Sequence, residues 1–289
     1  MLRSFFLLRH VDASQRSGSF TTQSAGTMAV AAGAGLLIML LSSVAHAQST
    51  LRALQMNLCN SGLAGCYAGG RAVDEAAGKI TSLKPDIVTL NEICSGDVER
   101  LWNTMGSVWP GQVGDSSHGK TYAFHPAWNA GTNQSYKCAN GQEFGNGIIW
   151  HSTDPTASVL AGRYAAQDSG SEKRTYVCVD IRPNGPFACT THLSAASEPV
   201  ALAQCRELMS LAVGTTGVGK VLVGGDFNLE YDTSDPENVQ NCVPADHYRK
   251  GDGDVQHFIA QNSLAFVSRN TYWMWYTDHP AFLMVVNKP

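Results

Sequence analysis

The chain has little charge and no surplus of basic residues. Charged residues make up 15% of its 289 positions, and 24 acidic residues outnumber 20 lysines and arginines. Because nonspecific nucleic-acid binding depends on cationic side chains that neutralise phosphates, this composition argues against a protein that only coats DNA. It does not exclude a nuclease, since a local site or a metal ion can bind phosphate without a basic surface.

The chain also lacks an apolar run of membrane-spanning length. The run at residues 29–41 is too short to cross a bilayer, and residues 45–47 (AHA) follow it in the small-x-small pattern of a signal peptidase site. We therefore predict a secretory signal region at 1–47, cleavage near Ala47, and a secreted or periplasmic protein without stable membrane insertion. Met28 is an alternative start of translation, although the expected basic residues lie upstream of it.

Zinc-type cysteine spacing is absent as well. All eight cysteines lie after residue 48, and an even number in an exported chain favours disulfides over metal thiolates. Cys178 and Cys189 flank a loop symmetrically and would face each other on two antiparallel strands. Cys59 and Cys66 could close a small loop. For the other four the sequence leaves the connectivity open, and the pairing that we favour over free buried thiols is Cys94 with Cys138 and Cys205 with Cys242.

No repeat, low-complexity tract or long linker divides residues 48–289, so we predict a single domain there. Short apolar strands alternate with two helical segments, at 70–83 and 198–212. Stretches rich in Gly, Ser, Asn and Asp, at 111–142 and 230–254, are expected to be loops. This order favours an α+β fold in which helices cover two packed sheets.

Polar residues recur at the ends of the predicted strands. They are Asn57, Glu92, His192, Asp226, Asn228 and the pair Asp278 and His279. In a sandwich such strand ends can gather at one rim, where carboxylates can hold a divalent cation and imidazoles can move protons. A structural explanation of Glu92 is difficult, because an unpaired carboxylate within an apolar strand is costly. Asp226 and Asn228 taken alone fit an Asx turn equally well.

These residues, in this order, resemble the endonuclease/exonuclease/phosphatase superfamily, which includes secreted deoxyribonucleases and bacterial sphingomyelinases. The matching segments are QMNL, DIVTLNEI, FGNGIIW, EKRTYVCVDI, TTHLS, VGGDFNLE and TDHPAF. The resemblance spans roughly residues 51–286. It implies a four-layer α/β/β/α sandwich of two mixed β-sheets flanked by helices, with one site at the rim.

The resemblance also implies which residues bind metal and phosphate. Glu92 and Asp278 would bind Mg²⁺, with Mn²⁺ or Ca²⁺ as substitutes, and Asn57 would orient the carboxylate or the phosphate. Arg174 would hold a non-reacting phosphate oxygen, although an exposed strand arginine is also ordinary. Asn146 would orient an imidazole or the phosphate.

Four further residues would carry the chemistry. Asp226 would orient or deprotonate the attacking water, and Asn228 would hydrogen-bond the phosphate. His192 and His279 would donate hydrogen bonds to the phosphate or transfer a proton, and the competing interpretation is a structural histidine. A separate set of histidines matches no motif and is expected at the surface or in loops: His125, His151, His247 and His257.

One position departs from the superfamily pattern. Gln256 stands where an aspartate usually accepts a hydrogen bond from the histidine that corresponds to His279. An amide could still orient this imidazole, but it would supply no negative charge to stabilise an imidazolium. Asp254 would supply the charge if the strand already ran there, whereas Gly251 and Gly253 favour a loop.

The function that these observations favour is a secreted Mg²⁺-dependent phosphodiesterase, most simply an extracellular nuclease that acts on DNA or RNA as a monomer. Two alternatives stay open: a sphingomyelinase-like or other phosphoesterase, and a non-catalytic binding protein or toxin subunit that retains the fold. The aromatic run at 272–276 is expected to fill the core. Exposure of both Trp273 and Trp275 would instead favour contact with substrate or membrane.

Overall fold

The computed structural model describes residues 49–111, 120–152, 157–181, 185–216 and 220–288. The predicted signal region lies outside these ranges. Within them, no helix combines the length and the hydropathy that a bilayer crossing requires.

Helices occupy three described segments, α1 (Arg71–Leu83), α2 (Ser95–Val108) and α3 (Glu198–Thr216), and a short 3₁₀ helix spans Val239–Cys242. The sequence analysis does not predict α2, although its buried residues recur at the helical spacing of one apolar face. These residues are Val98, Leu101, Trp102 and Met105. The sequence pattern does not indicate this helix because no loop separates it from the preceding strand. It begins directly after strand residue Cys94, with the residues Ser95, Gly96 and Asp97.

The strands form two six-stranded sheets and one small sheet. In chain order they are β1 (Thr50–Asn57), β2 (Ile87–Cys94), β3 (Tyr122–Pro126), β4 (Trp128–Asn129), β5 (Gln134–Ser135), β6 (Phe144–Trp150), β7 (Val159–Arg163), β8 (Glu172–Lys173), β9 (Thr175–Asp180), β10 (Phe187–His192), β11 (Val221–Asp226), β12 (His247–Gly251), β13 (Gln256–Gln261), β14 (Phe266–Tyr272) and β15 (Ala281–Asn287).

Both large sheets are mixed. The first has the order β14-β15-β1-β2-β6-β3 and the second β12-β13-β11-β10-β9-β7, while β5-β4-β8 form the small sheet. The pairs β1 with β2 and β10 with β11 run parallel, and their neighbours in each sheet run antiparallel.

Three apolar layers hold the sheets and helices together. The apolar faces of α1 and α2 pack on the outer face of the first sheet, and α3 packs on the outer face of the second. Between the sheets, side chains from both inner faces form the central layer, including Ile148, Leu222, Phe258 and Phe282. This arrangement confirms the predicted four-layer α/β/β/α sandwich.

Two segments expected to be loops contain regular structure. Residues 111–142 include β3, β4 and β5, and residues 230–254 include the 3₁₀ helix and β12. These expectations were wrong because β3 and β12 are edge strands of the large sheets. A strand with a single neighbour in its sheet can be short and polar, as the sequence HYRKG of β12 illustrates, so apolar alternation does not mark it.

The four disulfides join the pairs that the sequence analysis favours. They are Cys59–Cys66, Cys94–Cys138, Cys178–Cys189 and Cys205–Cys242. Cys178 and Cys189 are directly opposite in the β9–β10 register, as the symmetric flanking loop predicts. All eight cysteines lie in the described ranges and none is free there.

Gly225 allows β10 and β11 to pair closely beside the end of β11. A Cβ at this position would lie 2.2 Å from the backbone oxygen of Thr191. We expect Gly225→Ala to lower the free energy of unfolding by about 3 kcal/mol, because the clash is with backbone that cannot move aside cheaply. Urea denaturation measures the change.

Gly214 in α3 is the matched control, since a Cβ there meets no atom within 4 Å. Gly214→Ala should be neutral or raise the stability by up to about 1 kcal/mol through helix propensity. Equal stability of the two variants would contradict the close approach at Gly225.

Candidate active site

Strand ends from both large sheets converge at one rim of the sandwich. Asn57 ends β1, and Asp226 ends β11 of the facing sheet. His192 ends β10 and is paired in register with Asp226. Glu92 lies near the end of β2, and His279 lies two residues before β15. The sandwich therefore brings together polar groups that are far apart in sequence.

Asn57 bridges two carboxylates across the two sheets. Its amide nitrogen lies 2.9 Å from Glu92 Oε1 and 2.9 Å from Asp226 Oδ2, while its Oδ1 accepts a hydrogen bond from the backbone N–H of Cys59 at 3.1 Å. Asn57 and Asp226 are fully buried. Within the described residues, neither carboxylate forms an ion pair with a lysine or an arginine. One neutral amide thus holds two acids whose only basic neighbours, within the described residues, are the imidazoles of His192 and His279.

Burial raises the pKa of both acids. The pKa of Glu92 is raised by desolvation and further by the nearby charge of Asp226, against the hydrogen bond from Asn57. Desolvation also raises the pKa of Asp226, and His279 and Asn57 oppose the shift. Two neighbouring carboxyl groups whose charged forms are disfavoured by burial are suited to bind a hard divalent cation. Such a cation would favour their charged forms.

The backbone at Glu92 is strained. Its φ is 52°, and the pairing of β2 with β6 shifts register between Leu90 and Ile93. Asn228, two residues after the end of β11, has a φ of 49°, and Cys59, two residues after the end of β1, has a φ of 45°. Such conformations cost free energy in residues other than glycine and cluster at functional sites. The bulge places Glu92 out of the regular alternation of β2, which explains how an acid in an apolar strand can reach the rim.

His192 is buried beside a cation. Its Nδ1 accepts a hydrogen bond from Arg174 Nη1 at 2.8 Å, which leaves the proton on Nε2, 3.8 Å from Glu92 Oε1. Desolvation, Arg174 and His279 hold the pKa of His192 well below its ordinary value. The imidazole is therefore neutral near pH 7 and presents an N–H donor toward Glu92.

Arg174 has a carboxylate partner that the sequence analysis did not anticipate. Its Nη1 also donates to Glu172 Oε1 at 2.7 Å. Desolvation raises the pKa of Glu172 despite this contact. The ion pair neutralises part of the positive charge that would attract a phosphate, but the same contacts fix the guanidinium beside His192.

Asp226 lies at the centre of a second group of contacts. Its Oδ1 accepts the backbone N–H of Asn228 at 3.0 Å, and His279 Nε2 lies 3.4 Å from its Oδ2. The side-chain nitrogen of Asn228 donates to the backbone oxygen of Leu193 at 3.0 Å. Asp226, Asn228 and His279 are thus adjacent, as the resemblance implies.

Asp278 is an exposed residue of the loop before β15. Its side chain is 58% exposed, and its Oδ1 lies 3.4 Å from Thr277 Oγ1 and 3.8 Å from His279 Nε2. In the described part of the chain, no group of three or more metal-ligating side chains gathers around Glu92. Glu92 and Asp278, the two expected metal ligands, thus have different hydrogen-bond partners at the rim, Asn57 for the first and Thr277 for the second.

Gln256 does not hydrogen-bond to the His279 ring. Its amide nitrogen donates to the backbone oxygen of Pro280 at 2.7 Å and to Asp252 Oδ2 at 3.2 Å. Asp254 is exposed in the turn before β13, which begins at Gln256, so the condition for its alternative role is not met. Gln256 instead holds the backbone immediately after His279.

The amide row is the feature of the site that sequence reasoning missed. We use this name for four buried carboxamides, Gln256, Gln55, Asn91 and Asn146. Gln55 Nε2 donates to Gln256 Oε1 at 3.3 Å and to Asn91 Oδ1 at 2.6 Å, and Asn91 Nδ2 donates to Asn146 Oδ1 at 2.8 Å. The signal was present, because Gln55 and Asn91 are amides within apolar strands and must find partners when buried.

Asn91 and Asn146 also contact the second sheet. Asn91 Oδ1 accepts the backbone N–H of Asp226 at 2.9 Å, and Asn146 Nδ2 donates to the backbone oxygen of Thr175 at 3.0 Å. Both ends of the Asn146 amide are therefore occupied by protein partners. This arrangement favours a positioning role for Asn146 over direct contact with a phosphate.

The fold is that of the endonuclease/exonuclease/phosphatase class of structures. A protein of this class from Bacteroides vulgatus matches 84% of this chain and 100% of its own, with a TM-score of 0.56 and 12% identity. One from Beutenbergia cavernae matches 83% of this chain and 72% of its own, with a TM-score of 0.58 and 15% identity. The human Nocturnin catalytic domain with bound sulfate matches 83% and 94%, with a TM-score of 0.52 and 15% identity.

These similarities establish the fold. In sequence comparisons no protein-family model and no curated protein matches the chain.

Two tryptophans beside the site face solvent, so the expectation that they pack in the core was wrong. Trp273 is 67% exposed and Trp275 is 78% exposed. Strand β14 ends at Tyr272, so both tryptophans lie in the loop that follows it. Met274, the residue between them, is buried. The loop is held on α1, because Lys79 Nζ donates to the backbone oxygen of Trp273 at 2.7 Å and Glu75 Oε2 accepts the backbone N–H of Trp275 at 2.7 Å.

His257 is buried, contrary to the expectation of a surface or loop position. Its Nδ1 accepts from Arg249 Nη1 at 3.1 Å, and its Nε2–H donates to the backbone oxygen of Leu229 at 2.7 Å. Desolvation and Arg249 lower its pKa from 6.5 to about 3. His257 thereby holds, in its neutral form, the turn that follows Asp226.

The depressed pKa predicts acid destabilisation. Below about pH 6.5 the unfolded imidazole binds a proton and the folded one does not until about pH 3. The contribution of His257 to the free energy of unfolding is therefore fully present above about pH 6.5. It decreases as the pH is lowered, by roughly 2 kcal/mol between pH 6.5 and 5. The free energy of unfolding, measured by urea titration at pH 7 and at pH 5, should therefore decrease less in His257→Gln than in the wild type. An equal loss in both proteins would contradict a neutral His257.

Proposed function

We propose that this protein is a secreted Mg²⁺-dependent phosphodiesterase, most simply an extracellular nuclease that acts on DNA or RNA. The observation that carries the proposal is the bridge from Asn57 to the partly buried Glu92 and the fully buried Asp226, beside the neutral His192; within the described residues neither acid pairs with a lysine or arginine. A structural role alone would not require paired buried charges, which are costly unless they are compensated. A bound cation and a bound phosphate would supply the compensation.

The donor set identifies the residues that would hold the metal. Glu92 would be the protein ligand fixed by Asn57, and Asp278 would contribute from the adjacent loop. Mg²⁺ is commonly bound through one or two carboxylates and several waters, so a sparse protein donor set fits it. When bound, the ion polarises a phosphoryl oxygen and stabilises the leaving alkoxide.

The other side chains provide proton transfer and orientation. Asp226 accepts a proton from the water that attacks phosphorus, while the bond between phosphorus and the leaving oxygen breaks. A basic carboxylate suits this step, and burial makes Asp226 more basic. Neutral His192 donates a hydrogen bond from its Nε2–H to a phosphate oxygen. His279, whose Nε2 lies 3.4 Å from Asp226 Oδ2, takes over the proton that Asp226 received from the water and passes it to the leaving oxygen. Asn57 and Asn228 keep Asp226 in place.

Export is supported by two independent features. Four disulfides are formed, which suits an oxidising compartment. The apolar run at 29–41 and the small residues that follow it match a cleavable signal.

A phospholipid phosphodiesterase is the second candidate, because one observation favours it. Trp273 and Trp275 expose most of their surface only a few residues from Asp278 and His279, and their backbone is fixed on α1. Tryptophan is enriched where proteins meet the membrane interface, and it also stacks on nucleic-acid bases. The same rim chemistry would serve either substrate.

The first prediction concerns the metal and Asp226. Chelation by EDTA should abolish hydrolysis of plasmid DNA or RNA, and added Mg²⁺ should restore it. Asp226→Asn and His279→Ala should each lower kcat by about 100-fold or more, because they remove proton-transfer groups. Glu92→Gln should raise the Mg²⁺ concentration needed for half-maximal rate.

Asp232→Asn is the matched control, since Asp232 is an exposed acid whose side chain accepts hydrogen bonds from Ser234. Its rate should equal that of the wild type. Metal-independent turnover, or full activity of Asp226→Asn, would overturn the proposed chemistry.

The second prediction separates the candidate substrates. In Trp273→Ala/Trp275→Ala, hydrolysis of bis(p-nitrophenyl) phosphate should be unchanged, whereas turnover of the macromolecular substrate should fall about tenfold, as expected for lost stacking or interfacial contact. A fall confined to sphingomyelin vesicles would favour the phospholipid candidate, and a fall confined to DNA the nuclease. Val267→Ala removes another exposed apolar side chain and serves as control. Unchanged rates on both substrates would exclude a role for the tryptophans.

A further inference from the structure

An open pocket of about 420 Å³ lies beside the candidate active site. Its lining includes Trp128, Asn133, Arg163, Tyr164 and Lys173. This volume is within the range of small-molecule sites. The function proposed above does not use the pocket.

The pocket and the candidate active site share one short segment of chain. Lys173 lines the pocket, while its sequence neighbours Glu172 and Arg174 contact each other beside His192. Side chains of an extended segment alternate between its two faces, so the segment has the pocket on one side and the site on the other.

The walls of the pocket are fixed to the site by hydrogen bonds. The hydroxyl of Tyr164 lies 2.6 Å from Thr191 Oγ1, directly before His192. Gln167 binds both backbone groups of Arg174: its Oε1 accepts from the N–H at 2.8 Å and its Nε2 donates to the oxygen at 2.9 Å. A ligand in the pocket would therefore have a defined position relative to His192 and Arg174.

Two cations of the pocket have no carboxylate partner. The guanidinium of Arg163 lies over the ring of Trp128 at 4.7 Å, and Lys173 Nζ donates to the backbone oxygen of Asp168 at 2.6 Å. Across the described ranges, neither forms an ion pair. The chain as a whole has a net charge of -4, so two cations in one concavity are a local exception, offset in part by the carboxylate of Asp168 near Lys173. An anion bound between them would relieve their repulsion.

The pocket also offers flat surfaces next to these charges. The ring of Trp128 and the guanidinium plane of Arg163 suit stacking of an aromatic base. Asn133 adds an exposed amide at the rim of the pocket, with both donor and acceptor groups. Phosphate-binding cations, a stacking surface and an amide together match a nucleoside phosphate.

We propose that this pocket binds a nucleoside phosphate, with the phosphate on Lys173 and the edge of the Arg163 guanidinium and the base stacked on the guanidinium plane that lies over Trp128. The proposal rests on the nuclease function and deepens it. The ligand is either the nucleotide that flanks the scissile bond in an oligonucleotide or a free mononucleotide, and both present the same chemistry.

The kinetic test uses Arg163→Gln, Lys173→Gln and the double variant. For a short single-stranded DNA oligonucleotide, KM should rise about tenfold in each single variant while kcat is kept, since each variant loses a charged hydrogen bond to phosphate. Hydrolysis of bis(p-nitrophenyl) phosphate, which has no flanking nucleotide, should not change. Lys84→Gln, at the exposed end of α1, is the charge-matched control.

The binding test measures dAMP and inorganic phosphate by calorimetry in the presence of EDTA. Binding of dAMP to the wild type and its loss in the double variant would identify a free mononucleotide site. A KM effect on the oligonucleotide without dAMP binding would identify a flanking-nucleotide subsite. An unchanged oligonucleotide KM together with no dAMP binding would overturn the proposal.

Failure of the nuclease function would be recognised separately. If the wild type hydrolyses neither substrate with Mg²⁺, the proposed function fails, and the calorimetric arm still decides whether the pocket binds a nucleoside phosphate.

Discussion

Buried amides that must all find partners set the relative position of the two sheets. Gln55, Asn91 and Asn146 lie on the inner face of the first sheet, and their hydrogen bonds reach Gln256, the N–H of Asp226 and the oxygen of Thr175 on the second. A buried amide without a partner costs several times the net value of a hydrogen bond. Sliding one sheet against the other would leave several such groups unpaired at once. The apolar layer between the sheets supplies most of the attraction, and the amide row specifies the register.

The candidate site depends on that register. Asn57 can hold Glu92 and Asp226 together only if the end of β1 lies opposite the end of β11. Asp226 is far from both Asn57 and Glu92 in sequence. The same amides carry no charge and do not titrate near neutral pH, so the framework of the site does not change when its acids and imidazoles do. The neutral Gln256 belongs to this framework, since its amide holds the backbone at Pro280.

The sequence predicts the parts of the fold that are set by local pattern. Central strands such as β2 and β15 are apolar runs with polar ends, and the cysteines of β9 and β10 fix a hairpin register. The edge strand β12 escapes prediction because it is polar. At the site, the strand-end positions could be predicted from their residues and the family resemblance. The ion pair of Arg174 with Glu172, the partners of Gln256 and the exposure of Trp273 could not, because each depends on where a loop or the facing sheet lies.

The disulfides follow a simple order along the chain. Each cysteine pairs with the next one in sequence, first with second, third with fourth, fifth with sixth and seventh with eighth, so no two bridges interleave. Eight cysteines allow about 105 pairings, and this is the one that needs no reshuffling if oxidation keeps pace with emergence of the chain. Two bridges reinforce the half of the sandwich built on the first sheet and two the half built on the second, and none joins the halves. The rim between the sheets is thus held without a disulfide across it, so a reducing agent would cleave bridges within each half and none between them.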